Sequence, residues 1–185
     1  ENQSLGFFLN KLEKERPEEV LNIHDPMPRD FVFMAMAKEL DKEEFPPIIR
    51  AKIEGYDMPV LGNVFASRKR IANMLGFEDE SKIAENWAHI EKNLIAPKIV
   101  KDGPIHDAVL TEDKIDCGAL PLMQYYPTDA GRYISSGIVV VKDPETGVHN
   151  LSIHRMQYKG PNRFGISLHS RRHLYYHYER AAKAG

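Results

Sequence analysis

The chain has 185 residues, 42% of them hydrophobic and 28% charged, which is enough to bury one ordinary core and argues against disorder or a fibrous architecture. Twenty-five Lys and Arg against 27 Asp and Glu leave a net charge of −2, so no positive excess draws the chain to a nucleic-acid backbone or an anionic lipid surface. No apolar run approaches the roughly 18 residues that span a bilayer, no leader-like stretch opens the sequence, and the single Cys117 excludes an internal disulfide and a cysteine-only zinc site, so a cytoplasmic, reducing compartment is expected.

Ser4 precedes Leu5, Phe8, Leu9 and Leu12, whose spacing lines one helical face, and Pro17 marks where that helix has stopped. A second helix is predicted over residues 29–40, with Phe31, Phe33, Met34 and Met36 packing toward a core. Residues 47–53 and 60–65 read as strands bounded by Pro and Gly. Ser67 is an N-cap for a helix over 68–75 that Gly76 ends, and a further helix covers 82–93. After Pro97 the pattern turns to short apolar pieces and is predicted to be mostly β. Residues 133–142 and 148–158 form a hairpin around the turn chemistry of Asp143-Pro144-Glu145-Thr146-Gly147; a third strand spans 163–168 and a helix 171–184. The fold class is thus mixed α/β, divided into residues 1–96 and 97–185. The break after Gly185, with no distinct cap or tail, suggests a longer parent chain.

The densest group of ligand-competent side chains is Asn150-Leu151-Ser152-Ile153-His154-Arg155, followed by His169, Arg171, Arg172 and His173 at a strand-to-helix junction. Arginine clamps phosphate or carboxylate with two parallel hydrogen bonds, and Asn and His offer oxygen and nitrogen to a divalent ion. A solvated polar strand face is the competing reading. His169, His173 and His177 recur every four residues, as in some zinc helices, but no HExxH or nearby carboxylate completes such a set, and His177 is expected to serve packing. Ser135-Ser136-Gly137 lacks the flanking glycines of a nucleophile elbow, and no phosphate-binding glycine loop occurs. Cys117 is expected to be a small buried hydrophobe.

Five stretches taken together resemble the UbiD decarboxylases in order and spacing: Gly55 to Phe65; Ser67 with Arg70-Ile71-Ala72 and Leu75-Gly76; Pro127-Thr128-Asp129-Ala130-Gly131; Lys142 to Gly147; and Asn150 to Gln157. The resemblance implies a prenylated flavin mononucleotide held by a split β-barrel, its phosphate bridged to a divalent ion, usually Mn2+, with K+ nearby. It implies Asn150 and His173 as metal ligands and Arg155 as the group above the flavin that contacts the substrate carboxylate. Carried over by ungapped position relative to Asn150, the resemblance further implies that Ser135 and Gly137 would fall beside the flavin, with Ile153 against its ring, Arg172 next to the metal ligand, and Ser152 and His154 in the cofactor-binding stretch. His154 stands where tyrosine is frequent in the family.

The implied activity is reversible, non-oxidative decarboxylation of aromatic or α,β-unsaturated acids, with a small carboxylic acid as partner, no nucleic acid or membrane, and a homo-oligomeric full-length protein. The family's third metal-binding carboxylate and proton-handling glutamates have no counterpart before Gly185, so the chain alone is expected to be inactive. A non-catalytic flavin or metal module working with a partner chain is the alternative, and a histidine-metal hydrolase a further one. Strand alternation puts Ile153 and Arg155 on the face opposite Asn150 and Ser152, which a bulge or a ligand crossing the strand end would reconcile. With no partner for Cys117, thiol titration of the reduced protein should give one free thiol per chain.

Overall fold

The computed structural model describes residues 4–185, which divide into two compact units. The first comprises residues 4–28 and 32–113, the second 29–31 and 114–185.

The first unit opens with α1 (Leu5–Glu15), where the Ser4 hydroxyl accepts from the Phe7 N–H and so satisfies one of the amides a helix start leaves unpaired. Its stripe buries Leu9 and Leu12 against Val20 and Ile48. Strand β1 (Val20–Met27) pairs in parallel with β2 (Ile48–Ile53), and the intervening chain carries α2 (Val32–Leu40). β2 also pairs antiparallel with β3 (Val60–Gly62), so it is the central strand of the sheet. Burial on both faces accounts for its nearly unbroken apolar run, with Ile48, Ile49, Ala51 and Ile53 at most 1% exposed. Gly62 is needed for contact: a Cβ there would stand 2.7 Å from the ring of buried Phe33. α3 (Arg68–Met74), capped by Ser67, and α4 (Ile83–Lys92) complete the unit.

Several boundaries differ from the sequence reading for identifiable reasons. β1 escapes the apolar pattern because His24-Asp25-Pro26 interrupts it; as an edge strand it tolerates a proline and a slipped register after Ile23. β3 stops at Gly62 because Asn63 adopts φ 57°, outside the extended region. α2 starts at Val32, not residue 29, because Phe31 sits at φ 70° and Asp30 is engaged elsewhere. Phe31 is accordingly exposed and Met34 and Met36 are half-buried, leaving Phe33 and Ala37 as the packing face. Residues 94–132 are irregular apart from three single 3-10 turns and one bridge, so the β character of the second half begins at Tyr133.

One buried cation ties the first unit together. Arg70, 1% exposed, donates from Nε to Glu19 Oε2 at 3.0 Å, from Nη1 to the Asn63 carbonyl at 3.0 Å and from Nη2 to the Pro46 carbonyl at 2.8 Å. The planar guanidinium thus joins the end of the α1–β1 turn, the entry to β2 and the exit of β3.

The second unit is an antiparallel sheet in the order β4 (Tyr133–Lys142), β5 (His149–Gly160), β6 (Arg163–Ile166), followed by α5 (His173–Ala184). Asp30 belongs to this unit: it takes Arg132 Nη2 at 2.8 Å and the Gln124 N–H at 3.0 Å, and these bonds, that from Arg132 foremost, hold its carboxyl below the usual range against the opposing effect of burial. In the β4–β5 turn, Asp143 Oδ1 accepts the N–H groups of Glu145 at 2.9 Å and Thr146 at 2.8 Å, while Gly147 adopts φ 72°. Cys117 is half-buried in a 3-10 turn, not fully buried as expected; its N–H donates to the Pro161 carbonyl and its thiol is free.

Arg70→Ala, which removes the buried partner of Glu19 and the donor to the Pro46 and Asn63 carbonyls, should cost about 3–5 kcal/mol in urea unfolding, whereas Arg16→Ala, removing the more exposed partner of Glu19, should cost at most about 1 kcal/mol. Equal losses would contradict the role given to Arg70. The Thr146 N–H chiefly, with burial opposing it and the Glu145 N–H and Arg180 assisting, lowers the Asp143 carboxyl from its ordinary value of 3.8. A lowered folded-state value means that this contribution is complete above about 3.8 and lost as pH falls through the lower value. The stability gap between the parent and Asp143→Asn should therefore be constant near neutrality and close only below about pH 4.

Candidate functional site

The pleat of β5 sorts the predicted residues into two sets. Asn150, Ser152, His154 and Met156 point to one face, half-buried, and Leu151, Ile153 and Arg155 point to the other, exposed.

On the first face, Asn150 Oδ1 lies 3.3 Å from Nδ1 of His173, the first residue of α5 and 23 positions later in the chain. Adjacent ligands on one ion with bonds of about 2.1 Å lie about 3 Å apart, so this separation suits two donors to a single cation. The Asn150 Nδ2 is buried with no partner, an orphan that an anionic oxygen beside such an ion would satisfy. His154 Nε2 and Ser152 Oγ are 3.0 Å apart along the same face. Both neutral ligands lack a companion carboxylate: no group of three or more His, Cys, Asp or Glu suited to a metal exists among the described residues. The donor set therefore fits a divalent ion that brings or finds further oxygen ligands, and the three-histidine reading fails, since His169 precedes α5 and His177 turns to Asp143.

The second face is apolar and open. Ile138 pairs with Ile153 and Val140 with Leu151, and these four side chains are 60–65% exposed. A contiguous exposed apolar surface of this kind marks an interaction or ligand-binding face. Arg155 closes one end, its guanidinium 4.8 Å from the centre of the Tyr133 ring, a stacking that orients the fork.

Ser135 and Ser136 together stand opposite Arg155, because the register slips by one between Ile134↔Met156 and Gly137↔His154. The anticipated bulge thus lies in β4, while β5 keeps its alternation, so Asn150 and Arg155 stay on opposite faces. Ser135 Oγ is 3.1 Å from the Tyr125 hydroxyl. Gly137 is buried across from His154, where a Cβ would run into the Met156 side chain and come within 3.1 Å of the His154 carbonyl, so only glycine fits without a shift. Arg172 is exposed, and its carbonyl accepts the N–H groups of Tyr175 and Tyr176 to start α5, whose N-terminus has no side-chain cap. Uncapped amides beside Arg171 and Arg172 make this end attractive to an anion.

Sequence reasoning missed Tyr133 beneath Arg155 and the Asp143–Arg180 pair behind His173. The first was legible only once the register was known. The second was half visible, since His173, His177 and Arg180 share a helical face at i, i+4, i+7.

Comparison with known proteins follows these two units. The family model described as the 3-octaprenyl-4-hydroxybenzoate carboxy-lyase N-terminal domain matches residues 11–88, and that of the carboxy-lyase's Rift-related domain, UbiD, matches residues 98–185. An uncharacterized protein of Aquifex aeolicus is 31% identical over 152 residues, covering 71% of this chain and 31% of the relative; another from Rhodospirillum rubrum, in the cooM 5' region, is 31% identical over 142 residues, covering 75% and 30%. The chain therefore spans about a third of the length of these relatives. Among solved structures, an evolved dimeric form of the UbiD-class enzyme HmfF from Pelotomaculum thermopropionicum, in complex with prFMN, superposes with a TM-score of 0.88 at 27% identity, covering 100% of this chain and 42% of that one. Vanillic acid decarboxylase of Sedimentibacter hydroxybenzoicus gives 0.86 at 25% identity, covering 100% and 41%. With both family domains matched in order, and the whole fold shared with UbiD-class enzymes, the chain belongs to the UbiD decarboxylase family.

Proposed function

We propose that this chain is the flavin-holding part of a reversible, non-oxidative decarboxylase of aromatic or α,β-unsaturated acids, within a longer, cytoplasmic, homo-oligomeric protein that uses prenylated FMN with Mn2+ and K+. The observation that carries the reading is the pairing of Asn150 Oδ1 with His173 Nδ1 on one face of β5 while Ile153 and Arg155 share the apolar opposite face. In this reading residues 1–96 form the supporting α/β segment, and 97–185 contribute the three-stranded sheet as part of a split barrel.

Asn150 and His173 would hold the divalent ion. Ser135, Gly137, Ser152, Ile153, His154 and Arg172 would line the flavin, Ile153 meeting its ring. Because β5 is the central strand, a ligand serving both faces has to pass the end or edge of the hairpin, and Asn150 lies one residue into β5, beside the turn. When bound, the modified flavin would supply an electron sink for the charge left as CO2 departs.

The chain's own contribution is orientation. Stacked on Tyr133, the Arg155 guanidinium has its edge to offer a carboxylate, two charge-assisted hydrogen bonds that fix the scissile bond relative to the flavin ring. Ile153, Ile138, Leu151 and Val140, 60–65% exposed, would be covered by such a ring and would keep water from that side of it. Proton transfer has no candidate acid on this face among the residues assigned, so the chain alone should not turn over.

In the longer protein loaded with prenylated FMN and Mn2+, Arg155→Ala should lower decarboxylation at least about 100-fold, about 2.7 kcal/mol, while flavin absorbance on the protein is retained. Unchanged turnover would remove the role given to Arg155.

A further inference from the structure

His173 is the first residue of α5, where a helix end frays most easily, yet it faces Asn150 at 3.3 Å. What steadies it lies one and two turns further along the same helical face. The Asp143 side chain, 5% exposed, accepts a hydrogen bond from Arg180 Nη2 on Oδ1 at 3.4 Å, and its Oδ2 lies at ion-pair distance from Arg180 Nε, 3.1 Å, and His177 Nδ1, 3.4 Å, two buried nitrogens with no hydrogen-bond partner. Arg180 also ion-pairs with Glu145, donates to the Tyr176 hydroxyl at 2.6 Å and stacks over the Tyr176 ring. Meanwhile Oδ1 of the same Asp143 organises the hairpin turn through the Glu145 and Thr146 amides.

One carboxylate therefore fastens the β4–β5 turn to the middle of α5, and Asn150 stands only seven residues after Asp143. A helix is a rigid rod rising about 1.5 Å per residue, so holding it at 177 and 180, with Leu174 buried beside His173, sets where residue 173 stands.

We propose that Asp143 is the positioning residue of the candidate metal pair, holding α5 in the register that brings His173 to Asn150. This rests on the reading of Asn150 and His173 as metal ligands. Asp143 touches neither the ion nor the substrate; it acts through α5. Outer partners that orient ligands commonly alter metal affinity by 10- to 100-fold when removed.

The test is Mn2+ titration of the flavin-free longer protein by electron paramagnetic resonance, together with amide hydrogen exchange over residues 171–184. Asp143→Asn should weaken Mn2+ binding about tenfold and speed exchange in α5, leaving the β4–β5 amides protected. Arg180→Lys, which keeps a cation for Asp143, should retain affinity closer to the parent. Leu174→Ala, brought to the same unfolding midpoint by temperature, should bind Mn2+ more tightly than Asp143→Asn. An Asp143→Asn variant with parental affinity and exchange overturns the proposal, as does Leu174→Ala matching its loss. His173→Ala separates the two ideas: unchanged Mn2+ affinity there removes the metal reading, and the positioning role is then decided by the exchange of α5 alone.

Discussion

A β-strand can show a side chain to one face only, and the middle strand of a sheet offers no passage between its faces. β5 is such a strand, and its pleat separates the polar pair Asn150 and Ser152 from Ile153 and Arg155. Everything else in the second unit is arranged around that separation. α5 returns to the polar face and adds His173. The other face stays apolar and uncovered, with Arg155 held at its end over Tyr133. The bulge falls in the neighbouring strand, where it doubles the serines opposite Arg155 without disturbing the alternation of β5.

Each unit relies on one buried charge used as a connector. Arg70 joins three separate segments of the first unit, two of them through backbone carbonyls. Asp143 joins a turn and a helix in the second. Neither is an argument for stability as such, since burying a charge costs solvation that its partners only offset. Their value is specificity: a guanidinium fork, or a carboxylate bonded both to a turn and to a helix, favours one arrangement of the segments it joins.

The family match and the local geometry bear on different questions. The two domain models and the shared fold establish that the chain is of the UbiD family. In this chain a polar pair suited to a cation and an apolar face ending in an arginine are separated by the thickness of a sheet. That combination suits a ligand with an anionic end and an apolar end.

The sequence alone determined the elements with strong local signals: the Ser4 and Ser67 caps, the apolar run of β2, and the hairpin around Asp143 to Gly147, because capping, burial period and turn chemistry act within a few residues. Its ordered motifs also named Asn150, His173 and Arg155. It could not find β1, whose His24-Asp25-Pro26 obscures a strand that exists because β2 lies beside it, nor the start of α2, set by the bonds of Asp30 to Arg132 and Gln124. Only the tertiary structure decided that Asn150 meets His173, that Arg155 lies over Tyr133, and that His177 serves Asp143, since each joins residues distant in the chain and depends on strand register and helix placement, which local sequence does not encode.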